Sequence, residues 1–259
     1  MIAEEAHLTD ADSRMNAEFK TRLYDHYLTQ HVLLNAESVK IALAQRFPYL
    51  RWMIASCMPP DRTARILDLG CGYGAILLAL REAQYRSVTG VDVSSEQVEL
   101  ARHLGLEDVH CQDVNAFLRG VPDETYNVVI AFDILEHFTK PDLLALMDNL
   151  HRILAPGGRL IVHVPNGEGL FPGAVLYGDL THELAFTRSS LRQLAGTASF
   201  GVLAVKEEAP IVHGLFSLIR SLIWHTGSFF LRLLSVAETG EGFRSRPLSC
   251  NLLAVLERV

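Results

Sequence analysis

No stretch of this chain approaches the ~20 apolar residues that a membrane-spanning helix needs. Its first residues, Met1-Ile2-Ala3-Glu4-Glu5-Ala6, carry acids where a secretory leader has cations and an apolar core. Cysteine is scarce. The four present, Cys57, Cys71, Cys111 and Cys250, lie far apart and form no Cys-x-x-Cys pair. They read as free, buried thiols in a reducing compartment. Basic runs are missing too: 23 Lys and Arg against 30 Asp and Glu leave a net charge of −7 with both signs scattered. A broad nucleic-acid face needs clustered cations, so the balance argues against DNA as a partner and favours a neutral or small substrate. There is no internal repeat and no low-complexity segment. The expectation is a soluble cytoplasmic protein whose 259 residues bury one substantial core with an appended subdomain.

What is present is an alternation. From Arg65 onward, short apolar runs alternate with helical periodicity, which implies an α/β fold with a parallel sheet covered on both faces. Strands are expected near 65–69, 87–92, 107–112, 126–132, 159–164, 201–207 and 249–257. Helices are expected near 75–84, 95–104, 140–154 and 188–198. Pro156-Gly157-Gly158 reads as the turn from the helix at 140–154 into the fifth strand. Residues 1–60 form a helical segment ahead of this 61–259 domain. Phe19, Leu23, Tyr27 and Leu28 fall near helical spacing, as do Val39, Ile41, Leu43, Ala44 and Phe47 before Pro48. That segment either caps the substrate side of a pocket or packs only on the core.

The most informative stretch is Ile66–Gly74, reading Ile-Leu-Asp-Leu-Gly-Cys-Gly-Tyr-Gly. An apolar strand runs into three glycines at alternate positions, Gly70, Gly72 and Gly74, and an apolar helix pattern follows at once. Glycines let the backbone turn sharply and approach a ligand closely. An acid precedes them (Asp68), and a second ends the next strand (Asp92 in Val-Thr-Gly-Val-Asp-Val). The pattern resembles the S-adenosylmethionine (SAM) site of the class I methyltransferases. The resemblance implies a Rossmann-like seven-stranded sheet, mostly parallel with an antiparallel last strand. It also assigns residues. Asp68 and the Gly70–Gly74 loop would meet the methionine part of SAM. Asp92 would hold both ribose hydroxyls, as one carboxylate accepts two donors, with Val93 on the adenine face. Asp113 would accept from the adenine amino group while the Val114 N–H serves a ring nitrogen. Ala131 and Phe132, ending the fourth strand, would pass close to the methionine group.

Two clusters are candidates for the chemistry, which needs an in-line approach and a nucleophile stripped of its proton. The first is Asp133-Ile134-Leu135-Glu136-His137. A helical turn starting after strand four would put Asp133, Glu136 and His137 at i, i+3 and i+4 on one face, a donor set suited to a divalent metal. The second is Tyr177-Gly178-Asp179-Leu180-Thr181-His182-Glu183-Leu184-Ala185-Phe186-Thr187, in a long loop after strand five. Loops of that length are functional or disordered, and three titratable groups in five residues favour function. Together the clusters resemble the metal site of the small-RNA terminal-ribose and ubiquinone-pathway O-methyltransferases. That implies Mg²⁺ or Mn²⁺ held by Asp133, Glu136, His137 and His182, though the first ligand is usually Glu in those families. Without a metal, His182 or His137 is the general base, with Asp179 beside it.

The segment 210–243 is strongly apolar with a few basic residues. It reads as a helical insert before the last strand, broken after Trp224, and three fates are open: a hairpin completing the core, a homodimer surface, or an amphipathic element on a membrane. Pro165-Asn166-Gly167, the Tyr177–Thr187 run, Ala209-Pro210-x-Val212-His213-Gly214 and Ala237-Glu238-Thr239-Gly240 resemble methyltransferases of bacterial surface-polysaccharide pathways. That resemblance implies an O-methyltransferase acting on a sugar hydroxyl of a glycan or its precursor, free or lipid-linked. The alternatives are a small aromatic or quinone-like acceptor, an RNA 3′ end, or a SAM-binding accessory subunit without chemistry of its own.

Overall fold

A computed structural model describes residues 36–240, 242–243 and 246–259. The expected helical positions from Phe19 to Leu28 lie outside the described residues. The elements are α1 (Ala36–Cys57), β1 (Arg65–Leu69), α2 (Ala75–Glu82), β2 (Ser87–Asp92), α3 (Ser95–His103), β3 (Val109–Cys111), α4 (Val114–Arg119) and β4 (Tyr126–Phe132). A 3₁₀ turn (Leu135–His137) follows, then α5 (Lys140–Ile153), β5 (Leu154–Pro165), α6 (Pro172–Leu176), α7 (Arg188–Thr197), β6 (Phe200–Glu207), α8 (Leu215–Thr239) and β7 (Asn251–Arg258).

The strands form one seven-stranded sheet in the order β3-β2-β1-β4-β5-β7-β6. β1 to β5 pair in parallel, and β7 inserts antiparallel between β5 and β6. Both faces are covered, which is why β1 is apolar on both. Ile66 and Leu67 point to opposite faces, yet both are fully buried. Ile66 packs in the cluster of Leu50 and Met53 from α1 and Leu80 from α2. Leu67 packs in the cluster of Leu118 from α4, Leu146 and Leu150 from α5, and Leu191 from α7. The chain reverses at β1 between crossing to β2 and crossing to β4. In sheets with such a reversal, ligands bind at the strands' carboxyl ends beside it.

Four expectations need correction. Pro156-Gly157-Gly158 does not separate helix from strand. β5 begins at Leu154, and the tripeptide is an irregularity inside it: pairing jumps from Tyr126↔Leu154 to Val128↔Arg159, with Gly157 at φ 71°. α4 was not expected; the Asp113 carboxylate accepts from the Ala116 N–H at 2.9 Å and starts it. Cys57 and Cys71 are buried thiols, but Cys111 and Cys250 are exposed. Finally, the apolar insert is one continuous helix, α8, rather than a broken hairpin completing the core. Gly227 lies within it, since a mid-helix glycine costs only about 1 kcal/mol against alanine. The buried residues of α8 are Ser217, Ser221 and Ser228, while its Leu, Ile and Phe side chains are largely exposed.

Candidate active site

The glycine loop at the end of β1 has the backbone that its sequence demands. Gly70, Gly72 and Gly74 all adopt left-handed φ values, of 64°, 54° and 85°, where a Cβ is strained. The Gly72 N–H donates to Asp92 Oδ2 at 2.8 Å, and the Ser94 N–H donates to Oδ1 at 2.8 Å. β2 thus delivers a carboxylate that braces the loop and keeps a lone pair on each oxygen for further donors. Burial raises the pKa of Asp92 against those two hydrogen bonds.

Asp68 is more unusual. It is 1% exposed, and neither carboxylate oxygen has a hydrogen-bond partner among the described residues. Burial pushes its pKa well above the ordinary carboxylate range, and the charge of Asp92 adds to this. A buried acid without a donor is costly unless a ligand supplies one. An orphaned acid beside a glycine cradle fits the methionine end of SAM. Val93 is half exposed past the end of β2, while Val114, the first residue of α4, and Ala131 and Phe132, at the end of β4, are buried.

The second cluster of the sequence folds onto the first. The backbone oxygen of Glu136 accepts from the N–H groups of Glu183, at 2.7 Å, and Leu184, at 3.1 Å. These bonds pin the loop from Tyr177 to Thr187 against the 3₁₀ turn. One possible ligand atom from each of Glu136, His137 and His182 then lies within 4.8 Å of the others. The tautomers of both imidazoles follow from their partners. The Thr181 hydroxyl donates to Asp179 Oδ1 at 2.6 Å, so toward His137 Nδ1, 2.8 Å away, it is the acceptor. His182 Nδ1 lies 3.1 Å from the Val175 carbonyl and must donate to it. Both rings therefore carry their lone pair on Nε2, and that of His182 is 3.9 Å from Glu136 Oε1. Glu136 is 1% exposed with Oε2 unpartnered among the described residues. Burial, with the nearby charge of Asp133, pushes its pKa up to about 8. Burial works against the charge of Asp179 too, but the Thr181 hydrogen bonds outweigh it and hold that carboxyl below the usual range.

Asp133 does not join this set. Its φ is 53°, its N–H donates to the His163 carbonyl at 3.1 Å, and the turn begins only at Leu135. The helical face proposed for Asp133, Glu136 and His137 is therefore not formed. Asp133 Oδ1 instead bonds His163 Nδ1, and His163 Nε2 lies 2.9 Å from Glu208 Oε1. Glu208 in turn accepts from the Tyr49 hydroxyl of α1. The His163 ring stacks on Phe132, with centroids 3.9 Å apart and planes 8° from parallel. Burial opposes the charge of His163, but the two carboxylates prevail and push its pKa up to about 10.

Sequence reasoning missed His163, Glu208 and Tyr49. A usable signal was present: Leu160-Ile161-Val162-His163-Val164 places a titratable ring in a strand buried on both faces, where it needs partners. The Pro165-Asn166-Gly167 run has a structural task. Asn166 Nδ2 donates to the carbonyls of Pro247, at 3.0 Å, and Ser249, at 2.7 Å.

With this geometry in place, likeness to known proteins is informative. A family model described as a methyltransferase domain matches residues 42–205. The chain belongs to that family. As a class I SAM-dependent methyltransferase it resembles the ubiquinone biosynthesis O-methyltransferase of Xylella fastidiosa (strain 9a5c), at 36% identity over 112 residues, 41% of this chain and 44% of the relative. The 27-O-demethylrifamycin SV methyltransferase of Amycolatopsis mediterranei (strain S699) is 32% identical over 126 residues, 45% of this chain and 46% of the relative. The methyltransferase thus spans less than half the length of either relative. It shares its fold with the Burkholderia thailandensis 1,6-didemethyltoxoflavin-N1-methyltransferase solved with S-adenosylhomocysteine, at a TM-score of 0.56 and 15% identity over 100% of this chain and 93% of that one. No helix among the described residues is long and apolar enough to cross a membrane.

Proposed function

We propose that this methyltransferase is an O-methyltransferase for a hydroxyl of a small aromatic or quinone-like acceptor. The observation that carries the reading is the Glu136–His137–His182 cluster at the same sheet edge as the glycine loop. The name of the ubiquinone biosynthesis relative supports this acceptor class, and that of the 27-O-demethylrifamycin enzyme supports oxygen as the methyl acceptor. They offer no support for the glycan acceptor expected from the polysaccharide resemblance.

The cluster fits a divalent cation. Glu136 offers a buried oxygen without a hydrogen-bond partner among the described residues, and Thr181 and Val175 fix two imidazoles with Nε2 as the lone-pair atom. Two nitrogens and one carboxylate suit Mn²⁺ or another first-row ion better than the all-oxygen preference of Mg²⁺. When bound there, such an ion lowers the pKa of a hydroxyl that reaches it. The chain's own residues do the rest. Asp68 and Asp92 anchor the cofactor, and the Tyr177–Thr187 loop encloses the acceptor. α1 caps that sheet edge through Tyr49 on Glu208, with the Arg46 guanidinium 5.8 Å from the Phe132 ring centroid.

The test is methyl transfer from SAM to a panel of catechols, hydroquinones and sugars. Turnover on the aromatic hydroxyls, lost in His182→Ala with SAM binding retained, is expected. Transfer to sugars alone would overturn the acceptor class. An inert protein that still binds SAM and activates a partner would identify an accessory subunit.

A further inference from the structure

α8 is built the wrong way round for a core helix. At ~100° per residue, its buried serines, Ser217, Ser221 and Ser228, fall on one narrow line. Opposite them, Phe216, Ile219, Leu222, Phe230, Leu233 and Leu234 are all exposed. With their apolar neighbours they cover an arc of about 160° free of charged residues. Arg220 sits at one margin of the arc and Arg232 beyond the other. Arg232 is bonded to Glu207 at the end of β6, and Glu207 also accepts from the Leu248 N–H at 3.0 Å. These bonds tie α8 to the carboxyl edge of the sheet, one residue away from the Glu208 that bonds His163. Phe171, Tyr177 and Leu180, in the loops after β5 that also contribute His182, are exposed as well.

We propose that α8 lies on a lipid surface with its apolar face immersed, which brings this edge of the sheet to the membrane interface. The width of the arc favours lipid over a second copy of the chain. A single partner helix covers only an a/d seam of about two positions in seven, narrower than this arc, whereas a flat lipid boundary takes all of it. The adhesion is apolar rather than electrostatic, because the chain carries a net charge of −7 and Arg232 is already paired. Delivery of a membrane-dissolved acceptor to the site is a corollary, and that part alone rests on the function proposed above.

The experiment is co-sedimentation of the full chain with phosphatidylcholine vesicles, with and without phosphatidylglycerol and at low and high salt. Analytical ultracentrifugation runs in parallel. The expected result is vesicle binding that changes little with salt or anionic lipid and falls at least tenfold in Leu222→Glu/Phe230→Glu. That variant should keep its thermal midpoint and its turnover on a water-soluble catechol. A wild-type chain that stays in the supernatant overturns the proposal. It does so whether the chain is then a dimer that the variant dissociates, or a monomer whose α8 face is covered from within residues 1–35. Sedimentation does not depend on catalysis, so vesicle binding without catechol turnover would sink the proposed function and leave this inference standing.

Discussion

The hydroxyl of Thr181 lies 2.8 Å from His137 Nδ1 while giving its own proton to Asp179. One side chain thereby sets which nitrogen of His137 holds the lone pair. Thr181→Val keeps the shape and removes both bonds. Loss of such a supporting partner costs about 10–100-fold in metal affinity. Titration of Mn²⁺ into the variant should show a drop of that size with SAM binding intact. Unchanged affinity would mean that Thr181 only shapes the loop.

Asp68 offers a separation of stability from binding. Its folded pKa is raised, so its cost to folding grows as pH rises above the ordinary carboxylate value of 3.8 toward the folded one. Asp68→Asn does not titrate. At pH 7 the variant should unfold at a higher temperature than the wild type without ligand, yet gain less from added S-adenosylhomocysteine. A lower midpoint with an undiminished ligand shift would show that the carboxylate serves the fold and not the cofactor.

His163 should write itself into the pH dependence of stability. Its folded pKa, about 10, lies above the unfolded 6.5. Its contribution is therefore complete below about 6.5 and is lost as pH rises toward 10. His163→Gln leaves Asp133 and Glu208 without their cation and should cost about 3 kcal/mol near neutral pH, as removal of one partner from a buried ion pair does. Denaturant unfolding of both proteins should show the gap narrowing as pH is raised. A gap constant across that range would mean that the ring is held neutral.

Much of this molecule was legible because its signals are local. Ile66–Glu82 carries strand, turn and helix in 17 consecutive residues, and the carboxyl of Asp92 stands at the end of the strand where it was expected. The loop from Asp179 to Glu183 could be suspected from its density of titratable groups. The placement of Asp133 was not legible. Its backbone is set by a bond to His163, thirty positions away and in a different strand. α8 fails for another reason. Amphipathic spacing tells that one face is apolar, but not which way that face points. Here the serines are the buried side, a choice that hydrophobicity alone argues against.

The central claim is that Glu136, His137 and His182 act as one cation site for methylating an aromatic hydroxyl. Its most direct test is SAM turnover on a catechol acceptor after EDTA treatment, with Mn²⁺ or Mg²⁺ added back, in the wild type and in Glu136→Gln. The account predicts turnover abolished by EDTA, restored better by Mn²⁺ than by Mg²⁺, and not restored in Glu136→Gln although that variant still binds SAM. Wild-type turnover indifferent to EDTA would contradict it and leave an imidazole Nε2 as the base.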